Sequence, residues 1–140
     1  MFELIGEATI ALGDYTNTTT AEITDTGINI GNTDYAWGIV IITCDTPVVG
    51  AYDWGATFAM WGRYKSNKNL MSGISIMQKG TSTTSFTDIM SNSGASSETY
   101  GVRIINNTLN VVISRKCHGT ACPLCRAGNY TVKAYGLKSL

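Results

Sequence analysis

Apolar residues stand at every second position in short stretches along the chain, and this spacing limits what the chain can fold into. The clearest stretches lie at residues 100–105 and 109–114. Because side chains alternate between the two faces of a β-strand, each stretch is predicted to be a strand with one face inside. The polar pair Asn106-Asn107 between them predicts a two-residue turn, since Asn tolerates positive φ. The two stretches are therefore predicted to pair as a hairpin.

The same spacing predicts further strands at residues 3–12, 21–30, 35–44, 56–64 and 70–77, and a closing strand around residues 130–134. In the first of these, one face is predicted to carry Leu4, Gly6, Ala8, Ile10 and Leu12. The residues from Ile39 to Ile42 are apolar at successive positions, which predicts a central strand covered on both sides.

No segment has helical periodicity, and turn residues recur about every 8 to 12 positions, a pattern typical of all-β domains. We therefore predict an all-β fold, an antiparallel β-sandwich or jelly roll of about eight or nine short strands. At 140 residues, the whole chain (1–140) is predicted to form a single domain.

The chain is electrically neutral overall, with ten basic and ten acidic side chains. A nucleic-acid-binding protein would carry a basic stripe, so we expect no nucleic-acid partner. With 44% hydrophobic residues and little charge to keep copies apart, the chain is predicted to form a homo-oligomer. Its polar residues are mainly Ser, Thr, Asn and Gly, a composition that we associate with β-rich proteins outside the cytosol or on a particle.

Neither a membrane span nor a signal peptide is predicted. The longest apolar run, from Ile39 to Ile42, is far shorter than the roughly eighteen residues that a span requires. Close to Met1, Glu3 and Glu7 stand where a signal peptide would carry Lys or Arg. We therefore expect no membrane insertion, and a location on a virion or extracellular particle that the chain reaches by assembly or lysis.

A cysteine cluster, formed by Cys117, His118, Cys122 and Cys125, lies within nine residues, and Cys44 is the fourth cysteine. Soft ligands at such spacing can hold a structural zinc ion or another metal. Adjacent Cys117 and His118 project in different directions, so Cys44 makes a better fourth ligand. The other interpretations are disulfides, each stabilising by about 2 to 4 kcal/mol in an oxidising medium, and reduced thiols. No other cofactor is predicted.

Three Trp-Gly pairs occur, at Trp37, Trp54 and Trp61. Trp beside polar side chains is typical of sugar recognition. The indole ring stacks on the apolar face of a pyranose, while the hydroxyls of the sugar form hydrogen bonds with the neighbouring polar side chains. We therefore predict a glycan-binding site at Trp54, with Asp53 and Tyr52, in a loop. The alternative interpretation of all three Trp residues is core or subunit-interface packing, which is favoured for Trp37 and Trp61 because they lie in predicted strands.

Sequence motifs for catalysis are not found. The one histidine, His118, lies among cysteines, where a Ser-His-Asp triad has little to build on. No spacing of acidic residues singles out a carboxylate pair for glycoside hydrolysis, and phosphate-binding and dinucleotide-binding motifs are absent. We expect the protein not to be an enzyme.

The closing part of the chain, RAGNYTVKAYGL at residues 126–137 together with YGVRI at residues 100–104, resembles the last strands of small β-sandwich domains from bacteriophage tail fibres and other virion surface proteins. The resemblance covers about forty residues. It implies a homotrimeric or otherwise symmetric structural protein that presents loops to a host surface and contacts other virion proteins. The cysteine cluster is not part of that pattern.

These observations predict a non-enzymatic virion structural or adhesion protein that self-associates through apolar strand faces and binds a host-surface glycan or protein through loops. The loop at residues 80–97, rich in Ser, Thr and Gly, is predicted to make the host contact. One alternative is a free-standing lectin-like carbohydrate-binding module. Another is a capsid-decorating or filament-forming subunit without a ligand.

Overall fold

Seven β-strands form the regular structure of the part of the chain that the computed structural model describes, residues 1–17, 19–20, 22–45, 57–69, 101–105, 109–115 and 127–138. No helix in these ranges is long and apolar enough to cross a membrane. In chain order the strands are β1 (Phe2–Leu12), β2 (Glu22–Asn29), β3 (Tyr35–Cys44), β4 (Thr57–Gly62), β5 (Gly101–Ile105), β6 (Asn110–Arg115) and β7 (Gly128–Lys138).

The strands form two antiparallel sheets. Sheet A has the order β1-β7-β3-β4, and sheet B has the order β2-β6-β5. Both ends of the chain therefore lie side by side in sheet A, with β1 paired along β7 and β3 on the other side of β7. The predicted all-β antiparallel sandwich is confirmed. The predicted strand at residues 70–77 lies outside the described residues.

The core lies between the two sheets and is built from alternate positions of β3 and β7 in sheet A and of β2 and β6 in sheet B. Sheet A contributes Val40, Ile42, Tyr130, Val132 and Ala134, and sheet B contributes Ile28, Val111 and Ile113. Each of these side chains is at most 5% exposed. Fully burying one aliphatic side chain of this size stabilises a fold by roughly 1.5 to 3 kcal/mol. The period-two pattern of the sequence is therefore the pattern of the core.

Trp61 fills the β4 end of the core and is accommodated by Gly38, its partner across β3 and β4. A Cβ atom added at Gly38 would lie 2.4 Å from Cζ2 of the Trp61 indole and 2.3 Å from the Tyr135 carbonyl oxygen. Both contacts are far below van der Waals distance, so only glycine fits there. The interpretation of Trp61 as a core residue is confirmed.

Arg63 closes the same end of the sandwich. The buried guanidinium donates hydrogen bonds from Nε to the Tyr35 carbonyl at 3.1 Å, from Nη1 to the Lys68 carbonyl at 2.8 Å and from Nη2 to the Ile30 carbonyl. It also lies over the Trp61 ring, with Cζ 5.7 Å from the ring centroid. Burial lowers the pKa of Arg63. The bonds join the β3 and β4 end of sheet A to the chain that follows β2.

Two local predictions were wrong. Ile39 and Ile41 are half-buried rather than covered, so β3 has one face in the core and the other at the surface. The predicted hairpin of β5 and β6 is confirmed, but Ile105 pairs with Asn110, so four residues separate the strands instead of two. Leu109, the last of the four, has a φ of 57° and packs against the core.

Candidate functional site

The outer face of sheet A, the face turned away from sheet B, is the candidate functional site. Its side chains stand in rows across the strands, because directly paired residues of an antiparallel sheet point to the same side. From the chain termini inward, the described side chains in these rows are Phe2, Leu137 and Trp37; then Leu4, Tyr135, Ile39 and Met60; then Glu7, Lys133 and Ile41; then Thr9, Thr131 and Thr43.

The first two rows form the apolar half of this face: Phe2, Leu4, Trp37, Ile39, Met60, Tyr135 and Leu137. Phe2 is 42% exposed and Leu4 is 52% exposed, and the other five side chains are half-buried. The Phe2 and Trp37 rings meet edge to face, with centroids 4.8 Å apart. A contiguous apolar patch on a protein surface is typical of a contact with another molecule. Trp37 thus lies on this surface, not in the core.

A β-bulge at Ile5 creates the apolar half. Leu4 pairs with Tyr135 and Gly6 pairs with Ala134, so Ile5 has no partner of its own in the ladder and the alternation shifts by one residue. Leu4 therefore points outward while Gly6 points to the core, and the prediction that these two residues share a face was wrong. Gly6 fits closely there, because an added Cβ would lie 3.0 Å from Cγ2 of Ile28.

The next two rows form the polar half of the outer face: Glu7, Thr9, Thr43, Thr131 and Lys133. The Thr9 and Thr131 hydroxyls share a hydrogen bond of 3.0 Å. A shallow depression of about 330 Å³ lies here, lined by Glu7, Ile41, Thr43, Thr131, Lys133 and Tyr135. The apolar and polar halves thus meet at Tyr135 and Ile41. This arrangement can bury an apolar partner surface and bind a small polar group beside it.

Cys44 lies at the opposite end of the core from Arg63, paired with Tyr130. Within the described part of the chain it carries no disulfide. Burial, together with the neighbouring Cys44, raises the pKa of Tyr130. The Arg115 guanidinium lies over the Tyr130 ring, with Cζ 5.6 Å from the ring centroid. Arg115 is 1% exposed and forms an ion pair with Glu22. These contacts fix the end of β6 against β3 and β7.

The other predicted site residues lie outside the described residues. These are the glycan candidates Tyr52, Asp53 and Trp54, the cysteine cluster Cys117, His118, Cys122 and Cys125, and the loop at residues 80–97. Their assignments stay predictions. Within the described ranges, no three His, Cys, Asp or Glu side chains are grouped so that they could hold a metal ion.

Sequence reasoning predicted apolar strand faces for self-association but not which residues form them. Two local signals were present. One is the run from Ile39 to Ile42, where a strand with a single core face needs only every second residue to be apolar. The other is the pair Tyr135 and Leu137, which alternates with the core residues of β7. The bulge at Ile5 has no such signal.

Comparison with known proteins gives little similarity. No family model matches the sequence, and no curated protein is significantly similar. Among solved structures, the tailspike protein of Acinetobacter phage vB_ApiP_P1 is weakly similar, with a TM-score of 0.32 and 12% sequence identity. The match covers 94% of this chain and 21% of the tailspike chain, so this chain spans about a fifth of that protein. A likeness at this level transfers neither fold nor function.

Proposed function

We propose that this chain is a non-enzymatic structural and adhesion protein of a virion surface, which self-associates through the outer face of sheet A. The observation that carries the proposal is the apolar half of that face. Leu4 and Phe2 are about half exposed there, beside five more apolar side chains. Leaving such a patch in water is unfavourable by roughly 25 cal/mol for each Å² that a partner could cover.

A second copy of the same chain is the proposed occupant. The chain has no net charge, so copies do not repel one another. The strands of sheet A are 11, 11, 10 and 6 residues long, so at about 3.3 Å per residue and about 4.8 Å between strands the outer face covers about 600 Å², and the apolar half is about half of it. A stable protein interface buries about 800 Å² on each partner, so the apolar half would form the centre of an interface that neighbouring surface of the chain completes.

The virion setting and the trimer of the proposal rest on the resemblance of residues 100–104 and 126–137 to tail-fibre domains. In such an assembly, the loops that the sequence predicts at residues 52–54 and 80–97 would contact a host-surface glycan or protein. Other virion proteins are further proposed partners. Binding residues of proteins are found disproportionately on loops held by a rigid scaffold, which supports this separation of assembly from host contact.

The mass of the purified chain in solution tests the self-association. Light scattering coupled to gel filtration is expected to give two or more chains, and three chains would support the trimer. Leu4→Glu places a charge within the apolar half and is expected to weaken assembly by about 2 kcal/mol, or about thirtyfold in dissociation constant.

Ile23→Glu is the matched control. Ile23 is 48% exposed, against 52% for Leu4, and each lies on an edge strand, but Ile23 belongs to the outer face of sheet B. The same chemical change there should leave the mass unaltered. A wild-type mass equal to one chain would refute the proposal. Equal dissociation by both variants would show that the outer face of sheet A is not the interface.

A further inference from the structure

The depression in the polar half of the outer face contains several charged and polar groups that have no partner among the described residues. Glu7 and Lys133 are directly opposite each other on β1 and β7, yet they form no ion pair. Among the described residues, the side chains of Glu7, Thr43, Lys133 and Tyr135 make no hydrogen bond or ion pair. Lys133, Thr43 and Tyr135 are nevertheless half-buried. Their polar atoms therefore remain available to a bound molecule.

Glu3 on β1 and Lys138 on β7 are an acid and a base that do contact each other, unlike Glu7 and Lys133. Glu3 accepts a hydrogen bond of 2.9 Å from the Tyr35 hydroxyl and lies 3.7 Å from Nζ of Lys138. Burial is not the reason for this pairing, because Lys138 is 60% exposed. A cross-strand acid and base on this sheet can thus satisfy one another, and Glu7 and Lys133 do not. Among the described residues, the charged groups of Glu7 and Lys133 are thus left without a partner, unlike those of Glu3 and Lys138.

The chemistry of the lining favours a neutral polyhydroxyl ligand over an ion of either sign. An anion would be opposed by Glu7, and a cation would be opposed by Lys133. A sugar ring uses both, since its hydroxyls donate to the carboxylate and accept from the ammonium group, while Thr43 and Thr131 can do either. The Tyr135 ring and Ile41 provide the apolar surface that the face of a pyranose requires. The volume of about 330 Å³ is at the small end of ligand sites.

We propose that the depression lined by Glu7, Ile41, Thr43, Thr131, Lys133 and Tyr135 binds one ring of a neutral saccharide. This deepens the proposed function, because it names a ligand class and a second place for host-surface contact, distinct from the loop at Trp54. Assembly through the apolar half leaves the polar half at the edge of the interface, so several copies would present their sites together. A shallow site binds each ring weakly, and repetition supplies the avidity.

Saturation-transfer NMR on the full chain tests the site, with glucose, galactose, mannose and N-acetylglucosamine as separate probes. Glycine serves as a zwitterionic probe. Sulfate serves as an anionic probe, and its binding is followed through its competition with a bound sugar. We expect transfer to the ring protons of at least one sugar. Glu7→Gln and Lys133→Met should each lower the affinity about tenfold, because each removes a charged hydrogen-bonding partner.

The controls lie on the same strands. Glu3→Gln and Lys138→Met make the same chemical changes outside the depression and should leave sugar binding unchanged. Trp54→Ala should also leave this binding intact. No transfer to any of the four sugars would overturn the proposal, as would competition by glycine or sulfate that depends on Glu7 and Lys133. Loss of binding in Trp54→Ala but not in Glu7→Gln or Lys133→Met would place the sugar elsewhere and overturn it too.

The mass of each variant separates this inference from the proposed function. An assembled wild-type chain that binds none of the four sugars would refute the saccharide site and leave self-association standing. A monomeric wild type that binds sugar through Glu7 and Lys133 would refute self-association and leave the site standing.

Discussion

Replacing Gly38 by Ala is expected to destabilise the fold strongly, because the added methyl group meets backbone as well as side chain. Its Cβ would lie 2.3 Å from the Tyr135 carbonyl oxygen and 2.4 Å from Cζ2 of Trp61. The carbonyl belongs to β7, the neighbour of β3 in sheet A, so the two strands must separate or the indole must leave its place. Overpacking of a core costs about 1 to 3 kcal/mol, and contact with backbone places Gly38→Ala near the upper end.

Two other glycines provide a graded comparison. Gly136→Ala meets side chains only, since the added Cβ would lie 2.5 Å from Cδ1 and 2.7 Å from Cγ of Tyr35 and 2.8 Å from Cδ1 of Ile5, so these side chains must shift and a cost of about 1 to 2 kcal/mol is expected. Gly13→Ala meets nothing within 4 Å and should change stability by less than about 0.5 kcal/mol. The order of stability should therefore be Gly13→Ala, then Gly136→Ala, then Gly38→Ala.

Urea unfolding at one fixed protein concentration measures the three free-energy differences, and fluorescence of the buried Trp61 reports the transition. For a chain of this length, about 3 kcal/mol corresponds to a fall in Tm of about 10 °C. If Gly38→Ala and Gly13→Ala have the same free energy of unfolding, the packing described between β3, β7 and Trp61 is refuted.

Three further predictions concern charged and ionisable groups. Glu22→Gln removes the ionic partner of buried Arg115, and because Glu22 is 34% exposed the loss is expected to be about 1 to 2 kcal/mol in urea unfolding. Hydrogen bonds from the Gly27 N–H and the Asn110 amide lower the pKa of Asp25 below 3.8. The ionised Asp25 therefore adds to the free energy of unfolding above pH 3.8, and this stabilisation is lost as the pH falls through the lowered pKa of the folded state. Asp25→Asn should make the free energy of unfolding depend less on pH in the acid range. Burial raises the pKa of Tyr130 above 10.0. Its protonated hydroxyl therefore adds to the free energy of unfolding below pH 10, and this stabilisation is lost as the pH rises through the raised pKa of the folded state. Tyr130→Phe should make the free energy of unfolding depend less on pH in the alkaline range.

The alternation of residues predicted most of the described strands to within one or two residues at each end. Val40 and Ile42, and Val132 and Ala134, stand at the positions that the core uses. This succeeds because the side chains of a strand alternate regardless of its partner, so the pattern is local. The candidate glycan and metal residues were predicted from composition and spacing, and Cys44 alone among them lies in the described part, at the end of the core beside Tyr130.

The sequence by itself determined that the chain makes strands with one core face, because each short stretch has an apolar residue at every second position. Only the tertiary structure decided that β1 and β7 are neighbours, which sets Glu7 opposite Lys133 across more than a hundred residues of chain. It also decided, through the unpaired residue Ile5, that Leu4 faces outward. Strand order, register and bulges depend on the energies of pairing between segments that are distant in the sequence. No short stretch of sequence shows these energies, because they depend on every strand of the fold.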